Sequence, residues 1–415
     1  MLEPKDVFIP GKLPLSQTNI YAPRTREKAQ ERFIKALSRG HVPLIFGEYG
    51  VGKTSMARHV VRIDEDKGVL VNIESVAGKS LQDIFGRCLE KLGYAVQTKR
   101  VTGSSSLNAH EQSAQAKAGL PWLESIIASK RTKTEGSTIQ NEEQFVVTSP
   151  TDSKLIELCE AAGLVLILDE LHRAKPEFTQ ELADFIKTYG NANCRKFRII
   201  LLGTSSEANK LVQIDPGIDR LIQEVHLRAM DDSEARYVVS EGMKSLAITI
   251  DHEIESRLTS ICVGSPNILQ YLCLEAAEAA FVRVPRELQM QDVDNALKEY
   301  VENREARLYR AYLSAIETVG EKRYRKQILR AMAECEDEYV TMENIRSLSS
   351  QYIGEDVPST ALSGPLRDLK EKKFGPLLQD VDRPDQSGRL SNYTVFVDPS
   401  MKAFIRLLAA SEGTV

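Results

Sequence analysis

The sequence predicts an α/β fold in which a parallel β-sheet carries helices on its faces and is followed by a helical region and a smaller α+β region. Short apolar runs alternate with longer amphipathic segments across residues 40–203, as in a parallel sheet. From Asp231 to Glu299 the pattern is helical throughout. From Gly320 to Ala410, helices precede two short strands around a polar turn, which is typical of a winged helix.

The lead-in and the alternating elements follow in order. Residues 1–30 are punctuated by four prolines and a glycine, which favour an extended chain over a helix. The predicted strands are Pro43–Gly47, Val69–Ile73, Leu164–Leu168 and Phe197–Leu202. The predicted helices are Arg24–Arg39, Lys53–Ile63, Leu81–Leu92 and Phe178–Tyr189.

An insertion over residues 97–152 interrupts this alternation. It is rich in Ser, Thr, Gln, Ala and Gly and contains the only tryptophan, Trp122. A long segment without periodicity inside a domain is usually functional or disordered. It is therefore interpreted as a loop or small hairpin with a hydrophobic anchor, or as a contact site for a partner or nucleic acid.

The C-terminal part supplies the remaining elements. Arg304–Val319 is a predicted connecting helix, and the predicted wing has strands Lys373–Leu378 and Tyr393–Val397. We therefore expect a nucleotide-binding core over residues 1–230, a helical lid over 231–300, the connecting helix over 301–319 and a winged-helix-like domain over 320–415.

Composition excludes several classes of protein. The 415 residues carry a formal net charge of -5, which argues against a protein that coats nucleic acid by bulk positive charge. Six separated cysteines and six histidines show no metal-finger spacing, so buried free thiols are expected. We find no leader pattern and no apolar run long enough to span a membrane, and therefore expect a cytoplasmic protein without membrane contact.

The strongest motif lies between the first predicted strand and the helix after it. It reads Gly47-Glu48-Tyr49-Gly50-Val51-Gly52-Lys53-Thr54, a full match to the phosphate-binding P-loop, with Ser55 following. The glycines let backbone N–H groups face phosphate oxygens, and the helix directs its positive end toward them. We expect Lys53 to neutralise the β and γ phosphates of ATP and the Thr54 hydroxyl to bind Mg²⁺.

Two later strands end in candidate catalytic groups. The uncharged run Leu164–Leu168 is followed by Asp169 and Glu170. Ligands bind at the carboxyl ends of such strands, so Asp169 is predicted to hold Mg²⁺ and Glu170 to polarise the water that attacks the γ phosphate. Thr204, after the Phe197–Leu202 strand, would contact that water or the phosphate, or would cap the following helix.

With these three strands in this order, the chain resembles the AAA+ ATPases, in particular the branch of origin-recognition and initiator proteins and transposition-regulator ATPases. The resemblance covers about Val7 to Ala280. It implies an AAA+ core with a helical lid, and it implies that Tyr21 and Arg24 lie against the adenine.

The resemblance also implies a homo-oligomer. Its arginine finger, which reaches the γ phosphate in a neighbouring subunit, would be Arg220, with Arg228 as a competing candidate. The lid position at which many AAA+ proteins carry a sensing arginine is Asn267 here. Closure of the lid would then depend on packing or on the neighbouring subunit.

The C-terminal domain leaves two interpretations open. In the initiator branch a winged helix binds duplex DNA, and the candidate recognition helix Ser359–Lys373 and wing contain basic residues. The candidate DNA-binding residues are Arg367, Lys370, Lys372, Lys373 and Arg389. From Gly320 onward, however, 14 basic residues face 15 acidic ones, so a protein-binding winged helix is also predicted.

Two hypotheses for function follow. In the first, an ATP-binding and ATP-hydrolysing oligomer associates with DNA or loads an unidentified protein partner on it. In the second, a signalling or antiviral-defence ATPase activates a partner without DNA as a substrate. A nucleotide-binding scaffold with little turnover is disfavoured by Asp169 and Glu170.

Overall fold

The computed structural model of the chain describes residues 2–11, 20–62, 69–73, 77–91, 95–96, 146–147, 151–203, 211, 215–317, 324–374, 376–384 and 390–412. Its strands are β1 (Val42–Phe46), β2 (Val69–Ile73), β3 (Ala95–Val96), β4 (Val146–Val147), β5 (Leu164–Leu168), β6 (Arg198–Gly203), β7 (Ile222–His226), β8 (Leu378–Pro384) and β9 (Leu390–Phe396). The helices before the lid are α1 (Pro4–Val7), α2 (Ala29–Ser38), α3 (Lys53–Arg62), α4 (Leu81–Lys91), α5 (Asp152–Ala162) and α6 (Pro176–Asn191). The later helices are α7 (Asp232–Ser245), α8 (His252–Ile261), α9 (Pro266–Phe281), α10 (Met290–Glu299), α11 (Ala306–Ile316), α12 (Tyr324–Glu334), α13 (Met342–Ile353), α14 (Ser359–Asp368) and α15 (Ser400–Glu412).

The chain divides into two compact units. The sheet unit comprises Glu31–Phe46 and Ala57–His226. The loop-and-lid unit comprises Met1–Gln30, Gly47–Met56 and Leu227–Val415.

A five-stranded parallel sheet forms the centre of the sheet unit, in the order β2-β5-β6-β1-β7. The four predicted strands are confirmed, two of them to the residue. The predictions did not include the edge strand β7, in which only Val225 is fully buried. Its polar positions give no continuous apolar run of the kind that marks a central parallel strand.

Helices α4, α5 and α6 bury apolar side chains in the core of the sheet unit, where the Phe85 and Phe185 rings lie 4.6 Å apart. The predicted helices at α2, α3, α4 and α6 are confirmed with shifts of a few residues. Helix α5 was not predicted, although its buried side chains recur at the spacing of an amphipathic helix, at Leu155, Ile156, Cys159 and Ala162. It ends at Gly163, which adopts a left-handed φ of 63°.

The insertion itself falls largely outside the described residues, including Trp122. Within it, the structure describes Val146–Val147, which pair in parallel with Ala95–Val96.

In the loop-and-lid unit, the helical pattern predicted for Asp231 to Glu299 is confirmed as α7 to α10, and the predicted connecting helix as α11. The Asp231 carboxylate caps α7 by accepting a hydrogen bond from the Glu234 N–H. The expectation of a fully extended lead-in is wrong at Pro4–Val7, which forms α1. Phe8 is completely buried and lies where a side chain on Gly242 would be, so burial orders this segment.

Among the residues described from Tyr324 onward, three α-helices precede the antiparallel hairpin β8–β9 and the final helix α15, which is the predicted winged-helix-like order of elements. Several boundaries were wrong, and the second wing strand begins at Leu390 instead of Tyr393. The candidate recognition helix ends at Asp368, and the first wing strand begins at Leu378. Between them the Leu377 and Leu378 N–H groups both donate to the Leu369 carbonyl, and Lys372–Phe374 form a short 3₁₀ turn where the strand was predicted to begin.

The six cysteines are free, as expected. Five are buried, whereas Cys194 is only half-buried. Among the helices that the structure describes, none combines the length and apolar character needed to cross a bilayer.

Candidate functional site

The P-loop connects β1 to α3, as the sequence predicted. Gly47 has φ of 156°, and a Cβ there would lie 2.1 Å from the Leu227 carbonyl oxygen. Gly52 has φ of 93°, in the left-handed region that favours glycine. Helix α3 begins at Lys53, so the loop ends at the positive end of a helix. The backbone therefore fits an anionic phosphate group.

The Lys53 ammonium lies inside the loop, where Nζ donates to the Gly47 and Glu48 carbonyls, each at 2.9 Å. Thr54 and Ser55 follow in the first turn of α3 and are half-buried, while the Tyr49 side chain is 59% exposed. A flexible cation beside the loop can exchange carbonyl partners for phosphate oxygens.

Arg24 is buried, and its guanidinium binds three groups of the same unit. Nε pairs with Glu234 Oε2 at 3.0 Å, Nη1 donates to the Val51 carbonyl at 2.6 Å, and Nη2 donates to the Arg228 carbonyl. Arg24 thus fastens the P-loop to helix α7. An additional contact of this side chain with adenine remains a prediction.

Tyr21, the other predicted adenine contact, is half-buried, and its hydroxyl lies 3.1 Å from Gln30 Oε1, to which it donates. Burial raises the pKa of Tyr21 well above its usual value, with the nearby Arg24 acting in the opposite direction. The phenol therefore stays protonated at neutral pH.

Glu48 has partners that the sequence did not indicate. Its carboxylate pairs with Lys402 Nζ at 2.6 Å and with the Arg406 guanidinium at 2.7 Å and 3.1 Å, both on α15. No local pattern connects residues so far apart in the chain, so sequence reasoning missed both cations.

In the sheet unit, Asp169 and Glu170 follow β5. The Asp169 N–H donates to the Ile73 carbonyl at 3.0 Å, and its Oδ1 accepts from the Glu170 N–H at 2.7 Å. Glu170 has φ of 57°, unusual for a residue with a side chain, and its carboxylate lies 3.1 Å from Arg173 Nη1. Strained backbone of this kind clusters at functional sites.

The carboxyl ends of the strands meet at one edge of the sheet. Phe46 pairs with Gly203 and His226, and Leu168 pairs with Leu201. The Phe46 and His226 rings stack there at 4.8 Å. Asp169 and Glu170 therefore follow this edge, from which the chain also leaves β1. Thr204 lies outside the described residues.

Arg220 lies at the opposite edge, two residues before β7 begins, and is exposed. Asp215 supports the turn before it by accepting from the Gly217 N–H at 2.8 Å and from Lys187 at 2.7 Å. The competing candidate, Arg228, belongs to the other unit.

Arg228 pairs with Glu27 at 2.7 Å and with Glu336 at 3.1 Å. Asn267 lies in the first turn of α9, and its buried Oδ1 has no hydrogen-bond partner among the described residues. The neighbouring Pro266 packs on the P-loop, with its Cγ 3.3 Å from where a Cβ on Gly52 would lie. The ring of Pro266, which precedes Asn267 in the lid, thus contacts the loop at Gly52.

The candidate DNA-binding residues lie around the end of α14. Arg367 lies 3.9 Å from Glu371, and Lys370 pairs with Asp380 of β8 at 2.6 Å. Lys372 and Lys373 are exposed in a short 3₁₀ turn. Arg389 lies outside the described residues.

A magnesium ion would depend on nucleotide for part of its coordination. No three Asp, Glu, His or Cys side chains cluster around a metal site in the described part of the chain. Mg²⁺ commonly takes one or two protein oxygens and completes its shell with phosphate and water. Thr54 and Asp169 offer the type of oxygen ligand that Mg²⁺ prefers.

Comparison with known proteins gives a family match and several solved structures to which the chain is similar. The AAA domain family matches residues 36–212, which include the P-loop, Asp169 and Glu170. Cdc6p from Pyrobaculum aerophilum is 14% identical with a TM-score of 0.47, covering 99% of each chain. The Aeropyrum pernix ORC1 protein, solved in complex with DNA, is 13% identical with a TM-score of 0.43, covering 98% of this chain and 96% of that one. The RuvB Holliday junction branch migration motor of Thermotoga maritima is 14% identical with a TM-score of 0.41, covering 91% and 93%. No curated protein matches the chain.

Proposed function

We propose that the protein binds ATP at its P-loop and hydrolyses it with Mg²⁺, and the match of residues 36–212 to the AAA domain family supports this proposal. The observation that carries the proposal is the loop backbone between β1 and α3, where a Cβ on Gly47 would clash with a carbonyl oxygen at 2.1 Å. Only glycine fits there, and the loop leads into a helix N-terminus suited to phosphate.

Lys53 neutralises the β and γ phosphates by leaving its two loop carbonyls, both 2.9 Å away. Arg24 keeps the loop in shape through its bond to the Val51 carbonyl. Thr54 and Asp169 are the proposed ligands of Mg²⁺, which would offset phosphate charge when bound. Tyr21 is proposed to contact the adenine.

Glu170 is the proposed general base. Its carboxylate orients the attacking water and accepts a proton from it as the oxygen approaches the γ phosphate. The left-handed backbone of Glu170 supports this role. It directs the side chain away from the position that it would have if β5 continued as a regular extended strand. Thr204 is a second proposed contact for the water or the phosphate.

Arg220 is proposed to act on a neighbouring subunit. It precedes β7, whereas Glu170 follows the opposite edge of the same sheet, and the five residues of β7 alone span roughly 16 Å. Arg220 therefore cannot reach the Glu170 edge of its own sheet, and a role in hydrolysis requires a second subunit. We accordingly propose that ATP controls assembly of a homo-oligomer.

Subunit mixing tests this catalytic arrangement. Glu170→Gln should bind ATP yet hydrolyse it about 10²–10⁴-fold more slowly, since the water loses its base. Arg220→Ala should also be slow, but an equal mixture of the two variants should regain about one active site in four, because one intact Glu170 meets one intact Arg220 there. Arg32→Ala, which removes an exposed cation of the same unit, is the control. Normal turnover by Glu170→Gln, or no recovery in oligomers shown to be mixed, would contradict the assignment.

The nucleotide state is further proposed to control association with DNA or a partner protein. Exposed Lys372 and Lys373 favour phosphate contacts, whereas the ion pair of Lys370 with Asp380 favours a protein-binding surface. DNA affinity measured across salt concentrations with and without ATP separates these two roles, because phosphate contacts weaken steeply with salt. Absence of DNA binding at low salt in both states would favour the signalling alternative.

A further inference from the structure

Helix α15 presents two cations to the P-loop. Lys402 and Arg406 are four residues apart and so lie on one face of the helix. Both pair with the Glu48 carboxylate, and the three side chains are 9%, 17% and 25% exposed in the order Lys402, Arg406, Glu48. The contact joins the second residue of the loop to the last helix of the described chain.

The two cations are fixed independently of Glu48. Lys402 Nζ also lies 3.1 Å from the Asp337 carbonyl, and Arg406 Nη2 lies 3.2 Å from the Cys335 carbonyl. Arg406 Nε donates in addition to the Ala333 carbonyl at the end of α12. The loop residue therefore docks on a cationic pair that the C-terminal region holds in place.

The charge balance gives this contact a consequence for anion binding. An unpaired Glu48 would place a negative charge inside a loop that must accept phosphates. With Lys402 and Arg406 attached, the cluster has a formal charge of +1 instead. Burial alone would raise the pKa of Glu48, but Arg406 and Lys402 together hold that pKa below its usual value, so the carboxylate stays ionised and bound to them.

Position 48 also bears on Lys53. The Glu48 backbone carbonyl accepts a hydrogen bond from Lys53 Nζ at 2.9 Å, while the Glu48 side chain is held by α15. A displacement of Glu48 would therefore move one of the two carbonyls that position the Lys53 ammonium.

From these contacts we propose that Lys402 and Arg406 are positioning residues for the P-loop, which hold Glu48 and neutralise its charge so that the C-terminal region sets the loop's affinity for anionic nucleotide. The proposal rests on the proposed binding of ATP. A unit charge about 10 Å from a phosphate, at an effective permittivity of about 20 and a Debye length of about 10 Å, changes affinity about threefold. Release of the Glu48 carboxylate toward the loop has a similar effect, so loss of Lys402 should cost about tenfold in all.

A double-mutant cycle tests this. ATP and ADP dissociation constants are measured by calorimetry for the full chain, for Lys402→Met, for Glu48→Gln and for the two combined. Lys402→Met should weaken ATP binding about tenfold and ADP binding less, because ATP carries more negative charge. In the Glu48→Gln background the same substitution should cost only about threefold, since the direct charge of Lys402 is lost but no carboxylate is released toward the loop.

Controls separate positioning from simple stability. Glu412→Gln removes the exposed ion pair of α15 with Lys326 and should leave ATP affinity unchanged. Arg406→Lys keeps the charge and is measured if Lys402→Met does not fold; it should change ATP affinity less than threefold, and a tenfold loss would contradict the charge argument. Equal losses for ATP and ADP, or a full effect of Lys402→Met without Glu48, would overturn the proposal. A wild-type chain that binds no ATP would instead refute the proposed function.

Discussion

Substitution of Arg24 by methionine removes one partner of a buried ion pair. Arg24 and Glu234 are 4% and 2% exposed, with Nε and Oε2 3.0 Å apart. Loss of one partner of such a pair costs about 3–5 kcal/mol because a charge is left buried. Glu234 Oε1 keeps bonds from the Thr25 N–H at 2.8 Å and the Arg26 N–H at 3.2 Å. We therefore expect the low end of the range, a loss of about 3 kcal/mol in the free energy of unfolding.

Urea unfolding followed by circular dichroism measures this loss. The control is Lys244→Met, which breaks an exposed pair with Glu241 at 3.3 Å on the same helix as Glu234 and should cost at most about 1 kcal/mol. Combining Arg24→Met with Glu234→Met should recover part of the stability, since no buried charge is then unpaired. A loss for Arg24→Met no larger than that for Lys244→Met would refute the reasoning.

Two further predictions concern the loop backbone and a carboxylate of the sheet unit. Gly47→Ala should lower the unfolding free energy by about 1–3 kcal/mol and impair ATP binding, because its Cβ would meet a carbonyl oxygen at 2.1 Å. The control Gly40→Ala, at φ of 74° with open space around it, should cost about 1 kcal/mol and leave ATP binding intact. Equal effects of the two substitutions on unfolding and on calorimetric ATP binding would contradict this prediction. Burial alone would raise the pKa of Glu160, but three successive backbone N–H groups bring that pKa below its ordinary value of 4.5. Since the pKa of Glu160 is lower in the folded state than in the unfolded state, this contact stabilises the fold above about pH 4.5 and is lost as the pH falls. Measured by urea unfolding, Glu160→Gln should therefore lose less stability than wild type between about pH 6 and pH 3. Parallel plots of unfolding free energy against pH for the two chains would argue against this prediction.

The sequence predicted the central strands well because their signal is local. Leu164–Leu168 is an unbroken apolar run, and its bounds were predicted to the residue. The edge strand β7 has one fully buried side chain, so its pattern resembles that of a surface turn. The P-loop could likewise be identified from contiguous residues whose spacing follows from phosphate chemistry.

Contacts between distant residues could not be predicted in the same way. Nothing near Glu48 in the sequence indicates that Lys402 and Arg406 bind it. Arg24 was expected to contact adenine from its position before the first helix, and its pairing with Glu234 depends on how the chain folds back. Side chains of this kind are assigned only once the fold brings them together.

Calorimetric titration of Mg²⁺ and ATP into the wild-type chain and into Lys53→Ala tests the central claim most directly, with Lys35→Ala as a matched control for loss of an exposed lysine. Wild type and Lys35→Ala should bind ATP alike, and Lys53→Ala should bind about a hundredfold more weakly or not at all, because charge-assisted bonds to the phosphates are lost. Tight binding by a folded Lys53→Ala chain, or no binding by the wild type, would contradict the assignment of the P-loop as an ATP site.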